Sequence, residues 1–271
     1  VLCMNVSAGI GIIGAAAPML QETFGGALIG HSDLGFADLK KDEALLALAA
    51  AVGAGFVGLI SLFNIFGRFF WASISDKLGR KLTYIVFFTL GILMYVTASY
   101  MAGSKSLALF AACFCIIASM YGGGFATIPA YLADMFGTQF VGAIHGRILT
   151  AWSTAGILGP VIVNYMHDMR VEAQVPFSEI YAPIFYILAS MLAIGFIANL
   201  MVRPVDKKFF MTDKELLAEK KLAHEKFIST KETFGRAEKT PLITFLAWSA
   251  VGIPISYGIW STIQKAWILF H

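Results

Sequence analysis

The sequence has little charge, since Asp, Glu, Lys and Arg make up 14% of its 271 residues, whereas soluble domains average about 25%. Apolar side chains make up 58%. Several stretches of about 20 residues carry no charge at all, and that length crosses the hydrocarbon core of a bilayer. These features exclude a soluble fold and predict a membrane protein. We expect helices and not a barrel, because the apolar runs are continuous instead of alternating.

Cysteine is also scarce, and the few cysteines carry no chemical signal. Cys3, Cys113 and Cys115 all lie inside apolar runs without metal-ligand spacing to His, so neither disulfides nor a metal site is predicted. There is no triad-like setting of Ser, His and Asp and no phosphate loop, so we expect no enzyme and no cofactor. The net charge is only +3 and the cations concentrate at helix ends, which argues against a nucleic-acid partner.

Apolar runs divide the chain into seven predicted membrane segments. They lie at about 1–20, 44–72, 82–102, 107–134, 140–166, 181–202 and 242–270. We expect three regions: a six-helix bundle over 1–205, a partly helical or simply solvated linker over 206–240, and an extra helix over 241–271. The last helix is predicted to span the membrane, with an interfacial position or a kink at Pro254 as the alternative.

Positive charge is unevenly distributed between the two sides of the predicted bundle. Lys77, Arg80, Lys81, Arg147 and Arg203 all fall on one side. The positive-inside rule therefore predicts that the loop 76–81 and the tail 203–240 are cytoplasmic.

Glycine is abundant within the apolar segments, as in "VGAGFVGLIS", "YGGGFATIP" and "STAGILGP". In lipid, such small residues allow helices to approach closely and to bend. This composition favours a bundle that changes shape.

The segment "DKLGRK" contains Asp76, Lys77, Gly79, Arg80 and Lys81 between two apolar helices. An acid there can pair with a helix N-terminus or with a cation across the bundle, and the cations can bind lipid headgroups. We interpret the segment as a latch between helix ends; the alternative is the ordinary enrichment of Lys and Arg in cytoplasmic loops.

The longer string "GRFFWASISDKLGRK" resembles the loop motif of the major facilitator superfamily, with Ala72 in place of the leading glycine. Together with "YGGGFATIPAYLADMFG" and "HGRILTAWSTAGILGPVIVNY", it resembles the C-terminal half of an oxalate:formate antiporter family transporter, over about 1–205. The resemblance implies an all-α membrane fold in which the first six segments are helices seven to twelve. It also implies alternating access and a partner half of six helices outside this chain, which agrees with Val1 lying within an apolar segment.

Arg68 is the most informative single residue, because its helix is otherwise free of charge from Ala44 to Ser75. Ionisable groups at such positions are usually functional or paired, although Arg68 is also near enough to the helix end to snorkel. Asn64 lies one turn earlier on the same face. An arginine fork matches the two oxygens of a carboxylate, and the resemblance implies that both residues line an anion site.

Three aromatic residues complete the predicted substrate site. Tyr121 and Phe125 lie one turn apart and resemble the aromatic pair of the family's site. Trp152 aligns with a lysine of the oxalate-handling member, which leaves one intramembrane cation where a dicarboxylate requires two. We therefore expect a small monocarboxylate such as lactate, pyruvate, formate or glyoxylate, with oxalate disfavoured.

Further candidates lie at the predicted cytoplasmic ends. Asp134 and Arg147 bracket a short connector, so we expect them to pair and to take part in gating, while His145 is either a proton-coupling group or a structural one. A different class of function, a membrane anchor that presents its tail to a partner without transport, is the alternative. The sequence leaves open which carboxylate is carried and whether the exchange is antiport or proton symport.

Overall fold

The computed structural model describes residues 1–103, 106–206, 208, 211–235 and 241–267. Every regular element in these residues is helical. The helices are α1 (Leu2–Phe24), α2 (Phe36–Leu39), α3 (Glu43–Leu78), α4 (Arg80–Gly103), α5 (Leu107–Phe136), α6 (Val141–Glu172), α7 (Tyr181–Met201), α8 (Asp213–Gly235) and α9 (Pro241–Trp267), with 3-10 turns at Gly25–Ile29 and Phe177–Glu179.

Six helices are long and apolar enough to cross a membrane: α1 with its following 3-10 turn, α3, α4, α5, α6, and α7 with the turn before it. This confirms the predicted all-α membrane bundle. In the final segment, the apolar helical stretch found among the described residues is Thr244–Pro254, which is shorter than a span. A membrane crossing by residues 241–271 therefore stays a prediction.

Contacts between residues divide the chain into a larger unit, mainly Val1–Arg203, and a smaller unit, Pro204–Gln264. The smaller unit contains α8, in which Leu216, Leu217 and Leu222 are exposed. The part of the predicted linker over Asp213–Gly235 is thus helical, with apolar side chains exposed. Residues 207, 209, 210 and 236–240 of the predicted linker and 268–271 of the predicted last helix lie outside the described residues.

Close helix packing within the larger unit depends on small residues. The main pairs are α1 with α6, α3 with α5, and α4 with α7. A Cβ atom added to Gly11 would lie 3.0 Å from the carbonyl carbon of Gly159, so α1 and α6 meet backbone to backbone. Lipid gives no hydrophobic drive for helix association, so this contact relies on dispersion forces that only small residues permit. The glycine-rich segments therefore serve packing at these positions.

Aromatic rings fill the core between the helices. The rings of Phe110 and Phe114 from α5 lie 4.7 Å apart, and Phe114 lies 5.6 Å from Phe185 of α7. The Tyr95 hydroxyl donates a hydrogen bond to the carbonyl of Ala8 at 2.6 Å. Each ring pair contributes about 0.5–1.5 kcal/mol beyond its buried area, and the buried hydroxyl links α4 to α1.

Helix ends differ from the predicted ones at several places. Helices α3 and α6 continue to Leu78 and Glu172, well beyond the ends at 72 and 166 that were predicted for the second and fifth segments. Short charged stretches remain helical there, where the chain leaves the apolar zone. The segment between the first two predicted spans is also structured. Phe36 and Leu39 of α2 are buried against Ala49.

Candidate functional site

Helices α3 and α5 approach each other so closely that the contact between them has room only for glycine. A Cβ atom on Gly67 would lie 2.5 Å from the Cα of Ser119, and one on Gly122 would overlap the carbonyl of Asn64. The indole Nε1 of Trp71 donates to Ser119 Oγ at 3.2 Å across the same interface. This contact brings the polar residues of α3 beside the aromatic residues of α5.

Arg68 lies on the face of α3 that does not pack into the bundle. The buried residues of this helix form a separate stripe that includes Phe56, Ile60 and Trp71. The Arg68 side chain is exposed and interacts electrostatically with Tyr121 of α5. No ion pair of Arg68 occurs among the described residues, so the N–H donors of its guanidinium are open to a ligand.

The three predicted aromatic residues form one cluster beside Arg68. The ring centroids of Tyr121 and Phe125 lie 5.2 Å apart, and those of Phe125 and Trp152 lie 5.8 Å apart, both nearly perpendicular. Trp152 belongs to α6, so its contact with Phe125 connects α5 to α6. The structure thus brings together Arg68, Tyr121, Phe125 and Trp152, with Asn64 one turn away on α3.

A cavity of about 200 Å³ lies at the level of Asn64, between α1 and α3. It is lined by Ile13, Ile60, Ser61, Asn64 and Ile65. Ser61, Asn64 and Arg68 follow one another at helical spacing on one face of α3, and of these three Ser61 and Asn64 line the cavity. A polar rim on an apolar pocket is the usual form of a small-molecule site.

The "DKLGRK" segment joins the ends of three helices through Arg80. Gly79 ends α3 with φ at 84°, a conformation that favours glycine, so Arg80 begins α4 facing back toward α3. Arg80 donates to Asp76 and Ser75 of α3, and its Nε lies 3.3 Å from Asp134 Oδ2 of α5. The predicted connection between helix ends is present in this geometry, although its role in gating stays a prediction.

Lys81 extends the same network to α7. Its Nζ donates to the carbonyls of Leu200 at 3.0 Å and Val202 at 2.7 Å, where the end of the helix leaves carbonyls without partners. Asn199 returns a hydrogen bond to the Lys81 carbonyl at 3.1 Å and accepts one from Tyr131 at 3.3 Å. A cation at a helix C-terminus also stabilises the helix dipole.

Two residues of the predicted gate are not part of this network. The expected pair of Asp134 with Arg147 is wrong, because Asp134 accepts from Arg80 and Arg147 is exposed at the start of α6. Lys77 is likewise exposed. The prediction relied on nearness in sequence, whereas the packing of α4 against α5 brings a more distant cation to the carboxylate.

Sequence reasoning missed a polar cluster formed by α1, α6 and α7. Glu22 is buried and lies 2.9 Å from the Nε2 of His167, whose ring lies 5.7 Å from that of Tyr181. Both Glu22 and His167 lie just beyond the ends of the predicted segments 1–20 and 140–166. The signal available was their position within one or two turns of an apolar run. His145, for which a proton-coupling and a structural role are both open, has a buried Nδ1 without a hydrogen-bond partner among the described residues.

Metal chemistry finds no support in the residues that the structure describes. They include no group of three or more His, Cys, Asp or Glu residues arranged to hold a metal ion. The polar residues of the site suit binding through hydrogen bonds and charge.

Comparison with known proteins places these features in a family. The sequence matches the Major Facilitator Superfamily over residues 2–267. It is 34% identical over 114 residues to the oxalate:formate antiporter of Oxalobacter formigenes, covering 42% of this chain and 27% of that protein. It is 28% identical over 161 residues to the glucose transporter GlcP of Staphylococcus epidermidis (strain ATCC 12228 / FDA PCI 1200), covering 57% of this chain and 32% of that protein. No solved structure matches the chain.

The chain thus aligns with less than a third of the length of these two relatives. Its match to the family covers nearly its whole length, and six helices suited to crossing a membrane accompany that match. The family points to transport and not to an enzyme. The chain belongs to the Major Facilitator Superfamily and is an integral, multi-pass membrane protein.

Proposed function

We propose that the chain supplies one six-helix half of a secondary active transporter for small monocarboxylates, with Arg68 as the anion-binding group. The observation that carries the proposal is the position of Arg68. It lies on a spanning helix, forms no ion pair within the described residues, and faces the same side as Asn64. A cation on a membrane-spanning helix is costly unless a partner offsets that cost, and a substrate carboxylate is a suitable partner.

The chemistry of the neighbouring residues supports a small anion with one carboxylate. A cavity of about 200 Å³ is smaller than the roughly 300–1,000 Å³ pockets that hold drug-sized ligands. Asn64 offers both a donor and an acceptor for a hydroxyl or keto group next to the carboxylate. Trp152 presents an apolar ring in the cluster with Phe125, which suits a short carbon chain and disfavours a second carboxylate.

Alternating access requires that the helix ends on one side associate and separate. In this proposal, the Arg80 network holds the ends of α3, α4 and α5 together on the cytoplasmic side of a bacterial inner membrane, where the cations also contact lipid headgroups. A second six-helix half provides the other wall of the pathway. The alternative of a membrane anchor without transport is not favoured by the family match.

The test replaces Arg68 by Gln in proteoliposomes that contain this chain together with the other six-helix half. Hydrogen bonds to a charged group contribute about 1.5–3 kcal/mol, so we expect lactate affinity to fall about 10- to 150-fold. Arg68→Lys retains the charge without the planar fork and is expected to restore part of the affinity. Lys220→Gln on α8 removes one exposed cation elsewhere and serves as the matched control.

Uptake of several labelled compounds decides between substrate classes. Transport of lactate, pyruvate, formate or glyoxylate that depends on Arg68 supports the proposal. Unchanged uptake in Arg68→Gln, or uptake of glucose in place of every carboxylate, refutes it.

A further inference from the structure

A carboxylate is buried at the end of the bundle opposite Arg80. Glu22 lies in the last turn of α1, on the side where the chain passes to the start of α3, whereas Arg80 follows the end of α3. The Glu22 side chain is only 10% exposed and lies 2.9 Å from the Nε2 of His167 on α6. The His167 ring lies 5.7 Å from the Tyr181 ring of α7, centroid to centroid, so the cluster connects three helices.

The two contacts of the His167 ring require one proton more than a neutral imidazole and two ionised carboxylates supply. Its Nε2 faces Glu22, and its Nδ1 lies 3.1 Å from Asp168 Oδ1. Ionised carboxylates only accept hydrogen bonds, and a neutral imidazole has a single N–H to donate. If both carboxylates are ionised, both contacts can be hydrogen bonds only when each ring nitrogen carries a proton. The arrangement therefore fits an imidazolium between two carboxylates, with charge-assisted hydrogen bonds on both sides.

Other charged groups nearby are engaged elsewhere or face water. Arg170, on the same helix as His167, donates to the backbone carbonyl of Glu179 at 3.1 Å. Asp38 of α2 pairs with Lys41, and the Glu179 side chain is exposed. The partners of His167 are accordingly Glu22 and Asp168.

The three members of the cluster also form a path from water to the interior. The exposed fraction of the side chain falls from 73% at Asp168 through 23% at His167 to 10% at Glu22. A proton can therefore reach the ring through its exposed neighbour. If that proton leaves, one carboxylate loses its donor, and the desolvated Glu22 charge is no longer offset.

We propose that Glu22, His167 and Asp168 form a proton-binding site that joins the ends of α1, α6 and α7 while the proton is bound. The site is linked to Trp152 through α6, since Trp152 precedes His167 by about 22 Å of helix. Pro160 lies between them and lacks the N–H that would continue the helix ladder. Proton release frees the outer part of α6 to bend at Pro160. This link to the anion site rests on the proposed function, but the proton site does not.

The proton site is tested by ¹⁵N NMR of histidine-labelled full chain in lipid nanodiscs at pH 7.5. His167→Gln assigns the His167 signals, and the exposed His31 is the internal control. We expect both ring nitrogens of His167 to carry protons in the wild type. In Glu22→Gln, which retains the shape of the side chain without its charge, we expect a neutral His167 ring and an unchanged His31.

A neutral His167 ring in the wild type would overturn the proposal, and so would an unchanged ring in a folded Glu22→Gln variant. The wild-type spectrum decides the question even if that variant does not fold. The link to transport is tested separately by measuring lactate uptake between pH 5 and 8 with both six-helix halves present. His167→Gln is expected to remove the dependence of uptake on pH, and an unchanged dependence refutes the link. Absence of lactate uptake in every variant refutes the proposed function and leaves the NMR result standing.

Discussion

Replacing Gly67 by Ala is expected to separate α3 from α5 and so to weaken the candidate site without touching any residue that contacts substrate. The added Cβ would lie 2.5 Å from Ser119 Cα and 2.7 Å from its carbonyl carbon. Carbon atoms pack best at about 3.5–4.0 Å, so the two backbones must move apart by about 1 Å. Both obstructing atoms belong to the backbone, so no rotation of a side chain relieves the overlap.

The expected cost follows from the same geometry. Adding a methyl group to a well-packed core costs about 1–3 kcal/mol, and the movement also displaces Arg68 from Tyr121. A displacement of about 1 Å is larger than the tolerance within which the side chains of a binding site must be positioned. We therefore expect Gly67→Ala to lower both the melting temperature and the affinity for lactate.

Gly58 provides a matched control on the same helix, because a Cβ atom added there meets nothing within 4 Å. Both variants add one methyl group to α3. Thermal unfolding followed by near-UV circular dichroism, together with lactate binding in the presence of the other six-helix half, compares them directly. If Gly67→Ala unfolds and binds in the same way as Gly58→Ala, the close approach of α3 and α5 is not what positions the site.

Two further predictions concern the wall of the site and the network at the helix ends. Trp152→Lys adds a second cation next to Phe125, so we expect preference to shift from lactate toward oxalate in competition assays; unchanged preference would show that Trp152 does not select the substrate. Asp134→Asn removes one acceptor of the mostly buried Arg80, and because Asp134 itself is exposed we expect a loss of only about 0.5–1 kcal/mol. Asp206→Asn, in an exposed pair of the smaller unit, is the control, and equal melting shifts in the two variants would contradict a structural role for the Arg80 network.

Much of the bundle is predictable because its signals are local. Each span is a continuous apolar run of sufficient length, so the six helices follow from composition alone. Helical spacing likewise places Asn64 beside Arg68 and Tyr121 beside Phe125. These relations need only the geometry of one helix, and the structure retains them.

Contacts between distant parts of the chain could not be predicted in the same way. Glu22 and His167 are separated by 145 positions, and each alone resembles an ordinary polar residue at a helix end. Their meeting depends on how closely α1 packs against α6, which Gly11 and Gly159 determine. The partner of Asp134 was missed for a related reason, since Arg80 is 54 positions away and Arg147 is much nearer in sequence. Packing, and not sequence distance, decides which charges meet.

The central claim is that the Arg68 guanidinium binds the carboxylate of the substrate. The most direct measurement is solid-state NMR of the chain together with the other six-helix half in lipid, with ¹⁵N-labelled arginine and lactate carrying a ¹³C carboxylate. Bidentate contact predicts a carbon-to-nitrogen distance of about 4 Å, with dipolar dephasing that disappears in Arg68→Gln. Absence of dephasing with bound lactate, or dephasing that persists in Arg68→Gln, would contradict the account.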